Sequence, residues 1–266
     1  MLNDLIPITF DVPLGRDINV YPVGDLHYGS LQFDLGAWEK FREKIQNEEN
    51  AYLLIVGDLV DNGLKSSVTS TYEQTVRPSD QKRWVAEQLA PFRDRIIAGV
   101  QGNHEARSRK DSDDDPLYDV FSKLDIENRY RENGAFVCIR FGGELEDRHS
   151  KAGSSRPTYS ILLTHGAGGG AYIGSSANRN ERFLSITDGI DVLCTGHTHK
   201  GLTYPSSKLI FDQRNNRVIQ KDFYSVTCGS WLTYGGYALR KMLPPTARAV
   251  PVIHLSALGK HISVTI

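Results

Sequence analysis

The sequence has few cysteines and no long apolar run. Its 266 residues include three cysteines, Cys138, Cys194 and Cys228, which are far apart and lie in apolar, strand-like sequence. This spacing is typical of buried free thiols rather than of disulfides, and it indicates a reducing compartment. No window approaches the roughly 18 apolar residues of a membrane span, and the first ten residues do not resemble a signal peptide. We therefore predict a cytoplasmic protein with no membrane partner.

Neither sign of charge dominates the chain. Lys and Arg total 31 against 32 Asp and Glu, which gives a net charge of -1 at pH 7. This balance does not favour extended nonspecific binding to nucleic acid, although it leaves a local basic cleft open. The sequence has no internal repeat, low-complexity tract or convincing linker. Its length suits one large α/β domain or two small ones, and we predict a single domain over residues 1–266.

Five short apolar runs, each of strand length, end in side chains that can bind metal ions. The runs 18–23, 51–56, 96–100, 158–164 and 191–194 are followed by Asp25 and His27, by Asp58, by Asn103 and His104, by His165, and by His197 and His199. Such runs are typical of buried strands in an α/β sheet, which binds ligands at its carboxyl edge. Five of the eight histidines lie at these strand ends. A chance distribution of surface or core histidines does not explain that placement.

The residue types and their spacing indicate a metal site. Asp, His and Asn donors suit Mn, Zn, Fe or Mg better than soft metals. Residues two apart at a strand end point to the same side, so Asp25 with His27, and His197 with His199, can hold one ion together. A carboxylate such as that of Asp58 can give one oxygen to each of two ions about 3.5–4 Å apart.

The segments between these strands predict the remaining architecture. Apolar periodicity indicates helices over 33–48, 81–95, 117–124 and 178–186, and residues 202–266 predict a second, antiparallel layer. Residues 62–80 and 106–116 are predicted loops that form a lid or rim. The second of these is either a solvated loop or a phosphate-binding segment, in which Arg107 or Arg109 offers a planar guanidinium to phosphate oxygens.

The motifs DLH, GDLVD, GNHE, THG and GHTH, in this order, resemble the five-part motif set of the calcineurin-like metallophosphoesterase superfamily. They extend from Asp25 to His199, about two-thirds of the chain. The resemblance implies an α/β fold in which a two-sheet β-sandwich is flanked by helices, in four layers α/β/β/α. It also implies a dinuclear site with two divalent ions, of which manganese is expected and zinc, iron or magnesium are alternatives.

The same resemblance assigns roles to the motif residues. The first ion would be bound by Asp25, His27, Asp58 and His199, and the second by Asp58, Asn103, His165 and His197. Catalysis would be attack on phosphorus by a hydroxide held between the ions at the bridging Asp58, with protonation of the leaving oxygen by His104. Glu105 would orient a histidine, and Asp61 would brace its loop without binding metal.

At three positions the sequence differs from subfamilies of this superfamily, and these differences reduce the range of expected substrates. Asn62 and Gln101 stand where protein phosphatases of the superfamily carry phosphate-binding arginines. Asp61 stands where purple acid phosphatases carry a tyrosine ligand. The resemblance therefore favours hydrolysis of a phosphodiester or phosphomonoester on a small or nucleotide-like substrate.

Two alternatives remain open. The first is a DNA or RNA nuclease of the double-strand-break-repair type, for which a basic cleft would be lined by Arg107, Arg109, Lys110, Arg179 and Arg182. Only 67 residues follow His199, whereas those nucleases usually add a DNA-capping domain after the metal core. The second is a metal-binding scaffold without activity. The sequence argues against this second alternative, because every expected ligand position carries a metal-binding residue type and His104 is present.

Overall fold

Two six-stranded sheets form the centre of the structure, with helices on both outer sides. The computed structural model describes residues 3–65, 67, 73–142 and 156–266. The strands are β1 (Ile8–Val12), β2 (Ile18–Val23), β3 (Ala51–Ile55), β4 (Ile96–Val100), β5 (Tyr130–Arg131), β6 (Gly134–Phe141), β7 (Thr158–Thr164), β8 (Val192–Thr195), β9 (Leu202–Asp212), β10 (Arg217–Thr227), β11 (Val252–Leu255) and β12 (Ile262–Thr265). The helices are α1 (Leu35–Asn47), α2 (Pro78–Leu89), α3 (Asn103–Ser112), α4 (Pro116–Lys123), α5 (Ile173–Ser185) and α6 (Gly236–Arg240).

The strand order is β1-β6-β7-β8-β10-β9 in the first sheet and β12-β11-β2-β3-β4-β5 in the second. Between the sheets lies a core of buried aliphatic and aromatic side chains, among them Val20, Val100 and Ile139. A second cluster, which includes Trp38 of α1 and Phe121 of α4, packs on the outer face of the second sheet. Leu184 of α5 packs in the same way on the first sheet. The predicted α/β/β/α layers are therefore confirmed.

The topology brings the strand ends of the motifs to one edge. Neighbouring strands β2, β3 and β4 are parallel, and so are β7 and β8 in the facing sheet. Their carboxyl ends therefore open on the same side of the sandwich, as parallel strands require. Contacts between the two sheets at this edge include His165 Nδ1, which donates to the carbonyl oxygen of Val56 at 2.7 Å.

Two expectations about secondary structure were wrong. Residues 106–112 are not a loop, because they continue helix α3, which begins at Asn103 and ends before Asp113 in the left-handed conformation. The tail does not form one antiparallel layer. Strands β9 and β10 extend the first sheet, and β11 and β12 extend the second.

Other boundaries shift by a few residues. Helix α2 begins at Pro78 rather than 81, and α5 begins at Ile173 rather than 178. The expected rim over 62–80 falls partly outside the described residues. Among the helices of the described ranges, none combines the length and the apolar composition needed to cross a membrane.

Candidate metal centre

The predicted ligands leave their strands through an uncommon backbone conformation. Asp25, His27, Asp58, His197 and His199 all have positive φ, between 49° and 67°. Residues other than glycine rarely take this left-handed conformation, and where they do it often marks a functional site. These residues follow strands β2, β3 and β8, which belong to both sheets, and their side chains converge at the edge of the sandwich.

The first group of converging donors contains Asp25, His27 and His199. The Nε2 atoms of His27 and His199 lie 3.0 Å apart, and Asp25 Oδ1 lies 3.6 Å from His199 Nε2 and 3.9 Å from His27 Nε2. Asp25 is fully buried, and its carboxylate accepts the backbone N–H of His197 at 2.9 Å. The motifs after β2 and β8 are thereby joined.

The second group contains Asp58, Asn103, His165 and His197. Asn103 Oδ1 lies 2.6 Å from His197 Nδ1 and 3.1 Å from His165 Nε2, and these two ring nitrogens are 3.3 Å apart. Because His165 Nδ1 donates its proton to the Val56 carbonyl, Nε2 is the ring nitrogen that faces the other donors of the group.

Asp58 lies between the two groups. Its Oδ2 atom is 3.2 Å from His165 Nε2 and 3.8 Å from His27 Nε2. Its Oδ1 atom instead accepts the backbone N–H of His104 at 2.8 Å. The structure thus turns one oxygen of Asp58 toward both groups, whereas the expectation was one oxygen for each ion.

These spacings fit divalent ions. Two donors bound to one ion at about 2.1 Å lie about 3.0–3.4 Å apart across an octahedral or tetrahedral edge. One donor pair of the first group and three of the second have such separations. Three sets of His and Asp donors each lie within 4.8 Å of one another, and one of these sets combines His104 with His27 and Asp58. The fit is also chemical, since imidazole nitrogens and carboxylates are donors that suit divalent ions such as Mn, Zn or Fe.

The charges of these groups are strongly coupled. Burial raises the pKa of Asp25 to about 7. Burial would also raise the pKa of Asp58, but the neighbouring His165 and His104 lower it well below its usual value. The Asp58 carboxylate in turn outweighs burial at His165 and raises the pKa of that histidine to about 10. Burial and a neighbouring histidine lower the pKa of both His27 and His199, which favours the neutral rings that bind metals.

His104 lies beside these groups with its ring held from one side. Its Nδ1 atom donates to the backbone carbonyl of Asp61 at 2.7 Å, and Asp61 Oδ1 lies 3.4 Å from the same nitrogen. The opposite nitrogen, Nε2, is 3.9 Å from Asp58 Oδ2. Burial lowers the pKa of His104, but the carboxylates of Asp58 and Asp61 outweigh it and the net pKa is raised.

The sequence profile of the calcineurin-like phosphoesterase family matches residues 18–201. The chain belongs to this family. Two curated relatives, both described as uncharacterised metallophosphoesterases and found in two strains of Helicobacter pylori, are each 26% identical over 215 residues. The match covers 77% of this chain and 50% of each relative, so the chain spans about half the length of the curated relatives it matches.

Solved structures of low sequence identity are also similar. Vps29 of Chaetomium thermophilum is 10% identical, with a TM-score of 0.41 over 93% of this chain and 96% of that chain. The nuclease MPE of Pseudomonas putida is 13% identical, with a TM-score of 0.37 over 92% of this chain and 87% of that chain. Membership in the family supports phosphoester hydrolysis and divalent-metal binding in general terms.

Glu105 does not have the contacts expected of it. Instead of a histidine, its buried carboxylate accepts backbone N–H groups from the loops after β3 and β4. The donors are Asp58 at 2.9 Å, Leu59 at 2.7 Å, Val60 at 3.3 Å and Gly102 at 2.8 Å. Asp61 is the carboxylate that faces histidines, since its Oδ1 atom lies 3.6 Å from His27 Nδ1 and 3.4 Å from His104 Nδ1.

The four predicted substrate arginines are placed differently. Arg107 Nη1 lies 3.1 Å from His104 Nδ1, and Arg179 lies close to Gly168 in the loop that follows His165. Arg109 points elsewhere, because it pairs with Glu132 at 3.1 Å and Asp115 at 3.6 Å. Arg182 is exposed on α5.

Sequence reasoning missed two glutamines that support the site. Gln74 donates a hydrogen bond to Asp61 Oδ2, and Gln81 holds Gln74. Both follow a polar stretch without periodicity, and Gln74 is thirteen residues from Asp61. No local pattern marks them, since their role arises from a loop folding back.

Proposed function

We propose that this chain hydrolyses a phosphodiester or phosphomonoester of a small or nucleotide-like substrate with the help of two divalent ions, for which manganese is the first choice. The observation that carries the proposal is the placement of Asp58 Oδ2 between two groups of converging donors, with His104 beside them. Family membership supports phosphate esters as the substrate class.

The proposed ligand sets divide between the two groups. One ion would be held by Asp25, His27, Asp58 and His199, and the other by Asp58, Asn103, His165 and His197. When bound, such ions lower the pKa of water and neutralise charge on phosphoryl oxygens.

His104 would protonate the leaving oxygen. Its Nδ1 proton is directed to the Asp61 carbonyl, so the proton for transfer resides on Nε2, the nitrogen nearer Asp58. The nearby carboxylates raise the pKa of His104, which favours the protonated ring. A positioned histidine of this kind suits general-acid catalysis.

Arg107 and Arg179 are the proposed substrate-binding arginines. Arg107 lies on the His104 side of the site, and Arg179 lies near the loop after His165. In the part of the chain that the structure describes, no ion pair involves Arg179, so its guanidinium is available to phosphate oxygens. Arg109 is engaged with two acids and Arg182 is exposed, and neither is part of this proposal.

A single domain over residues 1–266 and a cytoplasmic location are further proposals. Both sheets share one buried core, which supports a single domain. Cys138, Cys194 and Cys228 are free thiols. Free thiols are common in reducing compartments, which supports the location.

The decisive experiment compares bis(p-nitrophenyl) phosphate with p-nitrophenyl phosphate as substrates of the manganese-loaded protein. Labelled single- and double-stranded DNA are assayed in parallel. Hydrolysis of an aryl ester with intact DNA supports the proposal. DNA cleavage at a comparable rate favours the nuclease alternative. Bound metal without hydrolysis of either ester or of DNA, with Mn, Zn, Fe or Mg, would identify an inactive scaffold and overturn the proposal.

Substitution of Arg179 tests substrate binding. Arg179→Ala should raise KM for the preferred ester about tenfold with little change in kcat, because it removes a charged hydrogen bond to the substrate. Arg214→Ala is the matched control, since Arg214 is an exposed arginine in the turn between β9 and β10. An unchanged KM in Arg179→Ala would remove this arginine from the proposed binding site.

A further inference from the structure

The side chains of Gln81 and Gln74 form a series of hydrogen bonds that ends at Asp61, beside the candidate metal centre. The fully buried Gln81 accepts the backbone N–H of Asn62 through Oε1 at 2.9 Å, so its Nε2 must act as the donor. That nitrogen donates to Gln74 Oε1 at 2.9 Å. Gln74 Oε1 also accepts the N–H of Gly63 at 3.3 Å, which leaves Gln74 Nε2 to donate to Asp61 Oδ2. Each amide therefore has one permitted orientation.

The backbone leaves room for both glutamines. A Cβ atom on Gly29 would lie 2.1 Å from Gln81 Nε2, and a Cβ atom on Gly63 would lie 2.6 Å from Gln74 Cδ. Gly29 also has a φ of +107°, which side-chain-bearing residues rarely adopt. The segment that carries Gln74 is also held by Thr75, whose N–H and hydroxyl both donate to the Gly29 carbonyl, at 2.9 Å and 3.0 Å.

At the end of this series of hydrogen bonds, the Asp61 carboxylate faces two histidines. Gln74 occupies Oδ2 of the buried Asp61 carboxylate, and Oδ1 then faces both His104 Nδ1 at 3.4 Å and His27 Nδ1 at 3.6 Å. Without the donor on Oδ2, the carboxylate is free to rotate away from these rings. The carbonyl of Asp61, which accepts from His104, belongs to the same residue.

We propose that Gln74 is a positioning residue, which fixes the Asp61 carboxylate and through it the His104 ring for protonation of the leaving group. This inference rests on the proposed phosphoester hydrolysis. The segment before α2, which was expected to form only a rim, would then contribute to the reaction through Gln74. Gln74 itself contacts neither the proposed ligands nor His104, and acts through Asp61.

The leaving group provides the test. Gln74→Met keeps the length of the side chain but removes the donor, and Gln74→Glu keeps the acceptor for Gly63 and Gln81 but also removes the donor. A displaced general acid matters most when the leaving alkoxide is poor. In both variants, kcat should fall about tenfold for a phenyl phosphate ester, which has a poor leaving group, and less than about threefold for the corresponding p-nitrophenyl ester, which has a good one. KM and metal content should stay unchanged.

Thr75→Val is the control, since it loosens the same segment without touching Asp61. The ratio of the two kcat values should stay at the wild-type level in this variant. An equal fall for both esters in the Gln74 variants, or the same change of ratio in Thr75→Val, would show a structural role and overturn the inference.

A second readout does not depend on activity. In ¹H–¹⁵N spectra of the metal-free protein, the ring nitrogens of His104 and His27 should shift in Gln74→Met and not in Thr75→Val. Unshifted rings would contradict the inference even if activity falls. If the wild-type protein hydrolyses neither ester, the proposed function fails, and the spectra still decide whether Gln74 positions these rings.

Discussion

At the scale of single residues, His104 differs from the other histidines of the site. The rings of His27, His165, His197 and His199 face one another or an acidic ligand across about 3 Å, as ligands of an ion do. His104 Nε2 is 3.9 Å from Asp58 Oδ2, and its other nitrogen is held by Asp61. The ring of His104 is thus held by Asp61, which distinguishes it from the histidines that are proposed to hold ions.

That difference leads to a prediction for His104→Ala. Its kcat should fall about a hundredfold or more, because a positioned general acid contributes about 10²–10⁴, whereas the bound metal should remain near two equivalents. Steady-state kinetics and elemental analysis of the same sample check both. Loss of a full metal equivalent would instead make His104 a ligand.

At the scale of elements, Glu105 joins two loops. It is the third residue of α3, and its carboxylate accepts the backbone N–H of the N-cap residue Gly102 as well as N–H groups from the loop after β3. Burial and the neighbouring Asp58 raise the pKa of Glu105. One buried carboxylate thus sets the relative position of the loops that carry Asp58 and Asn103.

Replacement of Glu105 should therefore destabilise the protein. In Glu105→Gln an amide NH₂ faces backbone donors, and buried N–H groups lose their acceptor. The free energy of unfolding of the metal-free protein should fall by about 2–3 kcal/mol. Urea denaturation with a chelator present measures it. Glu127→Gln is the control, because Glu127 is exposed, and equal stability of the two variants would refute this role.

At the scale of the whole molecule, Asp191 connects the two sheets. It is buried and pairs with Lys221 of β10 at 3.1 Å and with Lys260, between β11 and β12, at 2.7 Å. It also accepts the N–H of Ser160 in β7 at 2.8 Å. Burial would raise the pKa of Asp191, but Lys260 and Ser160 outweigh it and lower the pKa.

The lowered pKa predicts how this connection responds to acid. The folded carboxyl has the lower pKa, so the unfolded chain binds the proton more readily and stability rises with pH. The contribution should be complete above the unfolded pKa of about 3.9 and disappear as pH falls through the folded pKa.

Asp191→Asn should therefore lose about 2 kcal/mol of unfolding free energy at pH 7 and progressively less below pH 4. Urea denaturation across this range checks the difference from wild type. Asp94→Asn is the control, since the Asp94 side chain is 91% exposed. A destabilisation of Asp191→Asn that stays constant down to pH 3 would contradict the assignment.

The sequence alone determined the layers and the strand ends. Apolar runs such as 51–56 carry their strand character locally, and polar residues that follow a strand must lie at its carboxyl end. The motif order from Asp25 to His199 therefore predicted the two-sheet fold, which is confirmed, and it predicted which side chains the fold brings together. Their roles as ligands remain a proposal.

Only the tertiary structure decided what depends on contacts between distant segments. The helix over 106–112 was missed because its charges show no apolar stripe, and its start is stabilised by Glu105 capping. The division of the tail between two sheets depends on pairing of β10 with β8 and of β11 with β2. The contacts of Glu105 with backbone N–H groups, of Asp61 with two histidines and of Gln74 with Asp61 form where loops that are distant in sequence pack together, so the local sequence does not indicate them.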